Sequence, residues 1–117
     1  MVSNPDCIFC KIVRGEIPST MLYTDDHVIA FEDISPSAPV HLLVIPVDHI
    51  TFLKGLDGSS EALIGHMALV ARNLALEQGI DDSGYRLVIN QGPDAGQMVD
   101  HLHMHLLGGG PLGGVAT

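Results

Sequence analysis

From Asp100 to Leu107 the chain reads Asp-His-Leu-His-Met-His-Leu-Leu, and Gly108-Gly109-Gly110 follows at once. Three histidines alternate with apolar residues. In an extended strand successive side chains point to opposite faces, so His101, His103 and His105 share one face while Leu102, Met104 and Leu106 share the other. A helix would scatter the same histidines around its circumference and make no use of the alternation. The stretch is therefore predicted to be a strand with a wet imidazole face and a dry aliphatic one. Neighbouring imidazoles repel when protonated, and burying them without partners costs free energy. Such a face is expected to bind a metal or to exchange protons near neutrality; an exposed polar strand is the plainer alternative.

Length and composition set the frame. A chain of 117 residues, 46% hydrophobic and 16% charged, is expected to form a single domain, 1–117, with a real core. No apolar run is long enough to span a bilayer, and Met1-Val2-Ser3-Asn4-Pro5-Asp6 is not a signal peptide, so a cytoplasmic protein without membrane attachment is expected. A formal charge of −9 argues against a nucleic-acid polymer as partner, since reading a phosphate backbone needs a basic face. A small phosphate-bearing ligand stays compatible, because histidines and backbone N–H groups can supply local donors. The two cysteines, Cys7 and Cys10, are spaced as half of a tetrahedral zinc site or as two buried thiols. A structural disulfide is not expected in a reducing compartment, and a thioredoxin-type pair would need a preceding strand.

Taken in order, Asp6 is expected to cap a short helix carrying Cys7, Ile8, Phe9, Cys10, Ile12 and Val13, stopped by Gly15. Met21–Thr24 and Val28–Phe31 read as strands joined at Asp25-Asp26. Ile34 to Pro39, with two prolines, is irregular. Val40–Ile45 is a central strand ended by Pro46, and its one polar residue, His41, reads as a satisfied core residue unless it faces the triad. Ser59 to Gln78 is the one long helix: Leu63, Met67, Val70 and Leu74 fall at helical spacing and Gly79 stops it. His66 on that helix and His27 in its turn read as surface or packing residues. Gly65 and Ala68 permit close approach of a second helix. Tyr85–Asn90 is a fourth strand. Gln91 to Gln97 is a glycine-punctuated loop able to aim backbone donors at an anion. The triad strand and a loosely held Gly-rich tail, 108–117, complete the chain. The elements amount to an α+β fold: a five-stranded, mainly antiparallel sheet with one long helix and a short N-terminal helix.

With these residues in view, the chain resembles the histidine-triad family of nucleotide hydrolases and transferases, in its Hint-type branch of purine nucleoside phosphoramidases. The resemblance is carried by His101 to Gly109, Ile8-Phe9 with Lys11-Ile12, Phe31 to Pro36, Ala38 to Pro46, His49-Ile50, Gly84-Tyr85-Arg86 through Asn90, and Gly96-Gln97. It implies a homodimer whose subunits pair through helix and strand into a continuous sheet. It implies that a purine nucleoside monophosphate, or its phosphoramidate, lies with its base in an apolar slot of Ile8, Phe9, Phe31, Ile34 and Leu43. Asp33 would then hold the ribose hydroxyls, and Asn90, Gln97 and His105 the α-phosphate, with backbone N–H groups of the Gly96-Gln97-Met98 stretch. His103 is implied as the nucleophile, its second ring nitrogen held by a backbone carbonyl, and His41 belongs to the polar network behind it. Bacterial members similar to this chain imply a closed, structural zinc site of Cys7, Cys10, His49 and His101, and no organic cofactor.

The chain departs from that pattern in three places. Met98 stands where many relatives carry serine or threonine, and a thioether cannot donate a proton to a leaving group. The tail offers neither basic nor aromatic residues. Asp100 places a carboxylate beside the triad. Alternatives are a dinucleoside polyphosphate hydrolase, a nucleotide-binding regulatory module with little turnover, and a zinc protein whose other histidines are incidental.

Overall fold

The computed structural model describes residues 2–114. Five strands form one sheet in the order β1-β2-β3-β5-β4: β1 Met21–Thr24, β2 Val28–Glu32, β3 Val40–Pro46, β4 Tyr85–Val88 and β5 Met104–Gly108. All four pairings are antiparallel. The short helix α1 is Ile8–Val13 and the long helix α2 is Glu61–Glu77, entered through a 3-10 turn at Gly58–Ser60. The α+β architecture expected from the sequence is the one found.

Strand β3 is central because its residues are apolar on both faces. Leu42 and Val44 join Val28, Ala30, Leu102, Met104 and Leu106 beneath α2, which contributes Met67, Val70, Ala71 and Leu74. Leu43 and Ile45 face the opposite way and meet Ile29, Phe31, Phe9 and Ile12, so α1 covers the second face. Buried side chains thus lie on both sides of one sheet, which is why its middle strand lacks polar alternation.

Four details differ from expectation. The helix α1 is capped by Cys7, whose Sγ accepts the Cys10 N–H, and Asp6 stays outside. The triad stretch enters the ladder only at Met104, because the register Val44↔Met104 would next need an N–H from Pro46, which has none. Leu102 N–H is instead taken by Ile50 O at 2.6 Å. Strand β4 ends at Val88, opposite His105, so Ile89 and Asn90 leave the sheet. Gly108 belongs to β5 and not to a loose tail: a Cβ there would lie 2.7 Å from Ile80 Cδ1. Further along, Arg86 donates to Gly113 O at 3.0 Å; the last tail residues, 115–117, lie outside the described residues.

The two faces of β5 predict unequal mutations. Leu106 is fully buried under α2, and Leu106→Ala is expected to cost about 2–5 kcal/mol through lost transfer and a residual cavity. Leu107, on the other face and only half-buried, is expected to cost less when truncated. Urea midpoints of the two variants measure the difference.

Candidate active site and metal centre

The imidazole face is not wet. His101 is 0% and His103 6% exposed, because α1 lies over them. The Phe9 ring meets both edge-on, at centroid distances of 5.8 Å and 5.2 Å. Burial without cost requires partners, and each ring has one.

His103 Nδ1 lies 2.7 Å from His101 O. A carbonyl can only accept, so Nδ1 carries the proton and Nε2 of the neutral ring keeps its lone pair. His41 is fixed from the other direction. The Ser37 N–H, which can only donate, meets His41 Nδ1 at 3.0 Å, so neutral His41 bears its proton on Nε2. That N–H faces His105 Nδ1 at 2.8 Å and Asp33 Oδ2 at 3.4 Å. His105 then accepts at Nδ1 and presents an Nε2–H. The rings of His103 and His105 are 5.0 Å apart, which sets a nucleophilic lone pair beside a hydrogen-bond donor.

The electrostatics favour the neutral form of His105 and of His41. Burial, then repulsion from His103 and His41, pushes His105 down to about 4, against a weaker pull from Asp33. Burial also lowers His41, with Asp33 opposing. Asp33, His41 and His105 lie close enough to hold a cation. Metal binding through His41 Nε2 would require the proton on Nδ1, where it would collide with the Ser37 N–H. The group is a hydrogen-bond chain.

Cys7, Cys10, His49 and His101 form a separate cluster whose ligand atoms all lie within 4.8 Å of one another. His101 Nδ1 is 3.4 Å from Cys7 Sγ and 3.6 Å from Cys10 Sγ, and His49 Nδ1 is 3.4 Å from Cys10 Sγ. Tetrahedral zinc with ordinary Zn–S and Zn–N bonds sets sulfur and nitrogen about 3.5 Å apart, so this donor set fits a metal ion. His101 donates its other nitrogen to Pro46 O at 2.9 Å, which frees Nδ1 for a ligand role and orients the ring. His49 is placed by its own N–H to Val2 O, while Val2 N–H reaches Asp48 Oδ1, each at 2.8 Å. Burial pushes the Cys7 thiol up, and burial likewise takes His101 down to about 4; a bound cation would reverse the first and suit the second.

The residues expected to meet the nucleotide are distributed unevenly. Phe9, Phe31 and Leu43 belong to one buried apolar cluster, whereas Ile8 is 44% and Ile34 89% exposed. Asp33 Oδ1 accepts from Ser35 N–H at 2.8 Å, leaving Oδ2 toward His41. Gln97 is fully occupied: its Oε1 accepts from Gly92 N–H and its amide nitrogen serves Thr51 O and Val99 O. It fixes the loop that contains Gly96, at φ 79°. The Asn90 side chain and the N–H groups of Met98 and Val99 have no partner among the described residues. The sequence reading missed the Ser37 N–H and Pro46 O, backbone groups that leave no mark on residue type. It also passed over the His66–Asp25 tie at 2.6 Å, where bonds from Tyr23, His66 and two N–H groups outweigh burial and hold the Asp25 carboxyl well below its usual range.

The HIT domain matches residues 14–112. The purine nucleoside phosphoramidase of Escherichia coli (strain K12) is 49% identical over 108 residues, covering 92% of this chain and 91% of that one. A HIT-like protein of Synechococcus elongatus is 50% identical over 109 residues, covering 93% and 95%. Among solved structures, a HIT family hydrolase from Clostridium thermocellum superposes with a TM-score of 0.93 at 44% identity, covering 98% of this chain and 100% of that one. A histidine triad protein from Clostridium difficile gives 0.93 at 44%, covering 97% and 98%.

The neutral His105 makes stability depend on pH. Its folded value lies below that of a free histidine, so between about 6.5 and about 4 the unfolded chain binds a proton that the folded one refuses. Stability is complete above that window and falls as pH drops through it, by up to about 1.4 kcal/mol per pH unit for one proton. Urea midpoints measured across the window should show a shallower slope in His105→Asn than in the wild type.

Proposed function

Since its match to the HIT domain over residues 14–112 makes the chain a member of the HIT family, we propose that it is a nucleotide hydrolase that cleaves the P–N bond of purine nucleoside phosphoramidates. The observation that carries this reading is the His103 Nδ1–H bond to His101 O, which puts the lone pair of the neutral ring on Nε2, beside the His105 donor.

In this reading the base lies against Phe9, Phe31 and Leu43 with Ile8 and Ile34 at the rim, and Asp33 takes the ribose hydroxyls. Asn90, His105 Nε2–H and the N–H groups of Met98 and Val99 hold the α-phosphate oxygens, on a loop that Gly96 and Gln97 keep in shape. His103 Nε2 attacks phosphorus in line, the P–N bond breaks, and the amine departs with a proton. Water then cleaves the nucleotidyl-imidazole, releasing nucleoside monophosphate and restoring His103. His105 stabilises charge on the non-bridging oxygens, and His41, held by Ser37 and Asp33, keeps His105 in the tautomer that can do so. Met98, 92% exposed, has no proton to offer, so the amine's proton comes from water or from the substrate.

The same proposal includes a zinc ion on Cys7, Cys10, His49 and His101. With four protein ligands it is structural, compensates the thiolates and pins α1 over the triad. It also includes a homodimer, supported by Leu69 and Leu76 exposed on α2 and Leu87 exposed on the edge strand β4, and by the ladder groups left open at that edge. Two reduced cysteines and the absence, among the described residues, of any helix able to cross a membrane accord with a cytoplasmic setting.

Removing the nucleophile separates this reading from its alternatives. His103→Ala is expected to lower phosphoramidate turnover on the order of 10³-fold or more while retaining nucleoside monophosphate binding by calorimetry. Wild-type turnover by the variant would remove covalent catalysis, and faster release of nucleotide from a dinucleoside polyphosphate would reassign the substrate. The dimer is checked by sedimentation, where the mass of two chains is expected.

A further inference from the structure

The Cys7–Cys10 pair has a second chemical capacity, independent of its affinity for metal. Cys7 is the cap of α1 and Cys10 lies in its first turn, with Lys11 N–H on Cys7 O at 3.0 Å and Cys10 N–H on Cys7 Sγ at 3.4 Å. Helical geometry over three residues separates the two Cα atoms by about 5 Å, inside the range a disulfide accepts without moving backbone. The two sulfurs are already neighbours, both packed on His101 Nδ1.

Their exposure differs. Cys10 is 1% exposed, while Cys7 is half-buried and lines a cavity of about 330 Å³ together with Asn4, His49, Met98 and Asp100. Of the two cysteines Cys7 lines this cavity, and Cys10 does not. One sulfur positioned for attack and a second positioned to resolve is the arrangement that stops oxidation at a disulfide and prevents progress to higher acids.

We propose that Cys7 and Cys10 are an oxidative modification site: a hydroperoxide in the cavity beside Cys7 converts the pair to a disulfide and loosens α1 over His103. The Cys7 thiolate attacks the terminal peroxide oxygen; the O–O bond breaks, and the alkoxide leaves and takes a proton from water. The Cys10 thiolate then attacks the Cys7 sulfenic sulfur and expels hydroxide. Two electrons pass from the sulfur pair to the peroxide. Both sulfurs turn from His101 and His49 toward each other, and any cation they held is left with two imidazoles. Phe9, between the two cysteines in sequence and edge-on to His103 at 5.2 Å, transmits the change to the proposed nucleophile. Metal release rests on the zinc reading above; disulfide formation does not.

The full-length protein, purified under reduction, is assayed for metal by elemental analysis and then exposed to tert-butyl hydroperoxide. Expected are a Cys7–Cys10 disulfide in the peptide map, one zinc released per chain to a chromogenic chelator, and a fall in turnover of about tenfold or more, as small misplacement of reacting groups produces. Dithiothreitol with zinc should restore activity. Cys10→Ser should stop at a Cys7 sulfenic acid trapped by dimedone. Disulfide formation in protein that never contained metal supports the modification site and overturns the zinc reading. Metal present with both thiols intact, or Cys7 passing to sulfinic acid without a disulfide, overturns the modification site.

Discussion

The stretch from His101 to Leu107 is covered on both sides, and the remainder of the molecule is arranged so that it cannot slip. One face is aliphatic under α2; the other is imidazole under α1. A shift by one residue would drive three histidines into the aliphatic core and turn Leu102, Met104 and Leu106 toward polar neighbours. The ladder with β3 holds the second half, from Met104 onward. The first half is held by single bonds: Leu102 N–H to Ile50 O and His101 Nε2 to Pro46 O. Pro46 both interrupts the sheet, by lacking an N–H, and supplies the carbonyl that orients His101.

The bond directions around these rings form one consistent assignment. Two backbone groups act as fixed ends: the Ser37 N–H, which can only give a proton, and His101 O, which can only receive one. Between them a neutral His41 must donate to His105, His105 must accept, and the neutral form of His103 carries its lone pair on Nε2. Desolvation reinforces the outcome, because burial disfavours the imidazolium form in His41 and His105. Assigned tautomers are what a nucleophile and an adjacent phosphate donor require, and the protein obtains them from main-chain atoms.

Much of this was legible in the residue pattern, and the exceptions share a cause. The alternation of His101 to Leu106 identified both faces correctly, and the apolar run of β3 identified the central strand. What the pattern could not convey was coverage: α1 folds over the imidazoles, so a face read as wet is dry. Main-chain partners were equally hidden. Cys7 displaced Asp6 as the helix cap because its sulfur already lies over the first turn, and Gln97, a plausible phosphate donor by type, spends its amide on Gly92, Thr51 and Val99. Ile34, apolar by type, stands in solvent. The cluster that could hold a metal ion was readable in part, as a cysteine pair needing histidines, and its convergence involves Val2 and Asp48 at the His49 segment.

The departure at Met98 bears on which half of the proposed reaction is slow. In that proposal His103 and His105 would supply attack and charge stabilisation, and neither role depends on residue 98. Breaking the P–N bond also requires a proton on the departing nitrogen, and among the described residues those lining the cavity with Met98 carry no hydroxyl. An amine that is already basic enough to be protonated from water removes that requirement, whereas a weakly basic amine does not. The burden of leaving-group activation therefore passes from the protein to its substrate: the better the amine holds a proton as the bond breaks, the less a thioether at position 98 matters.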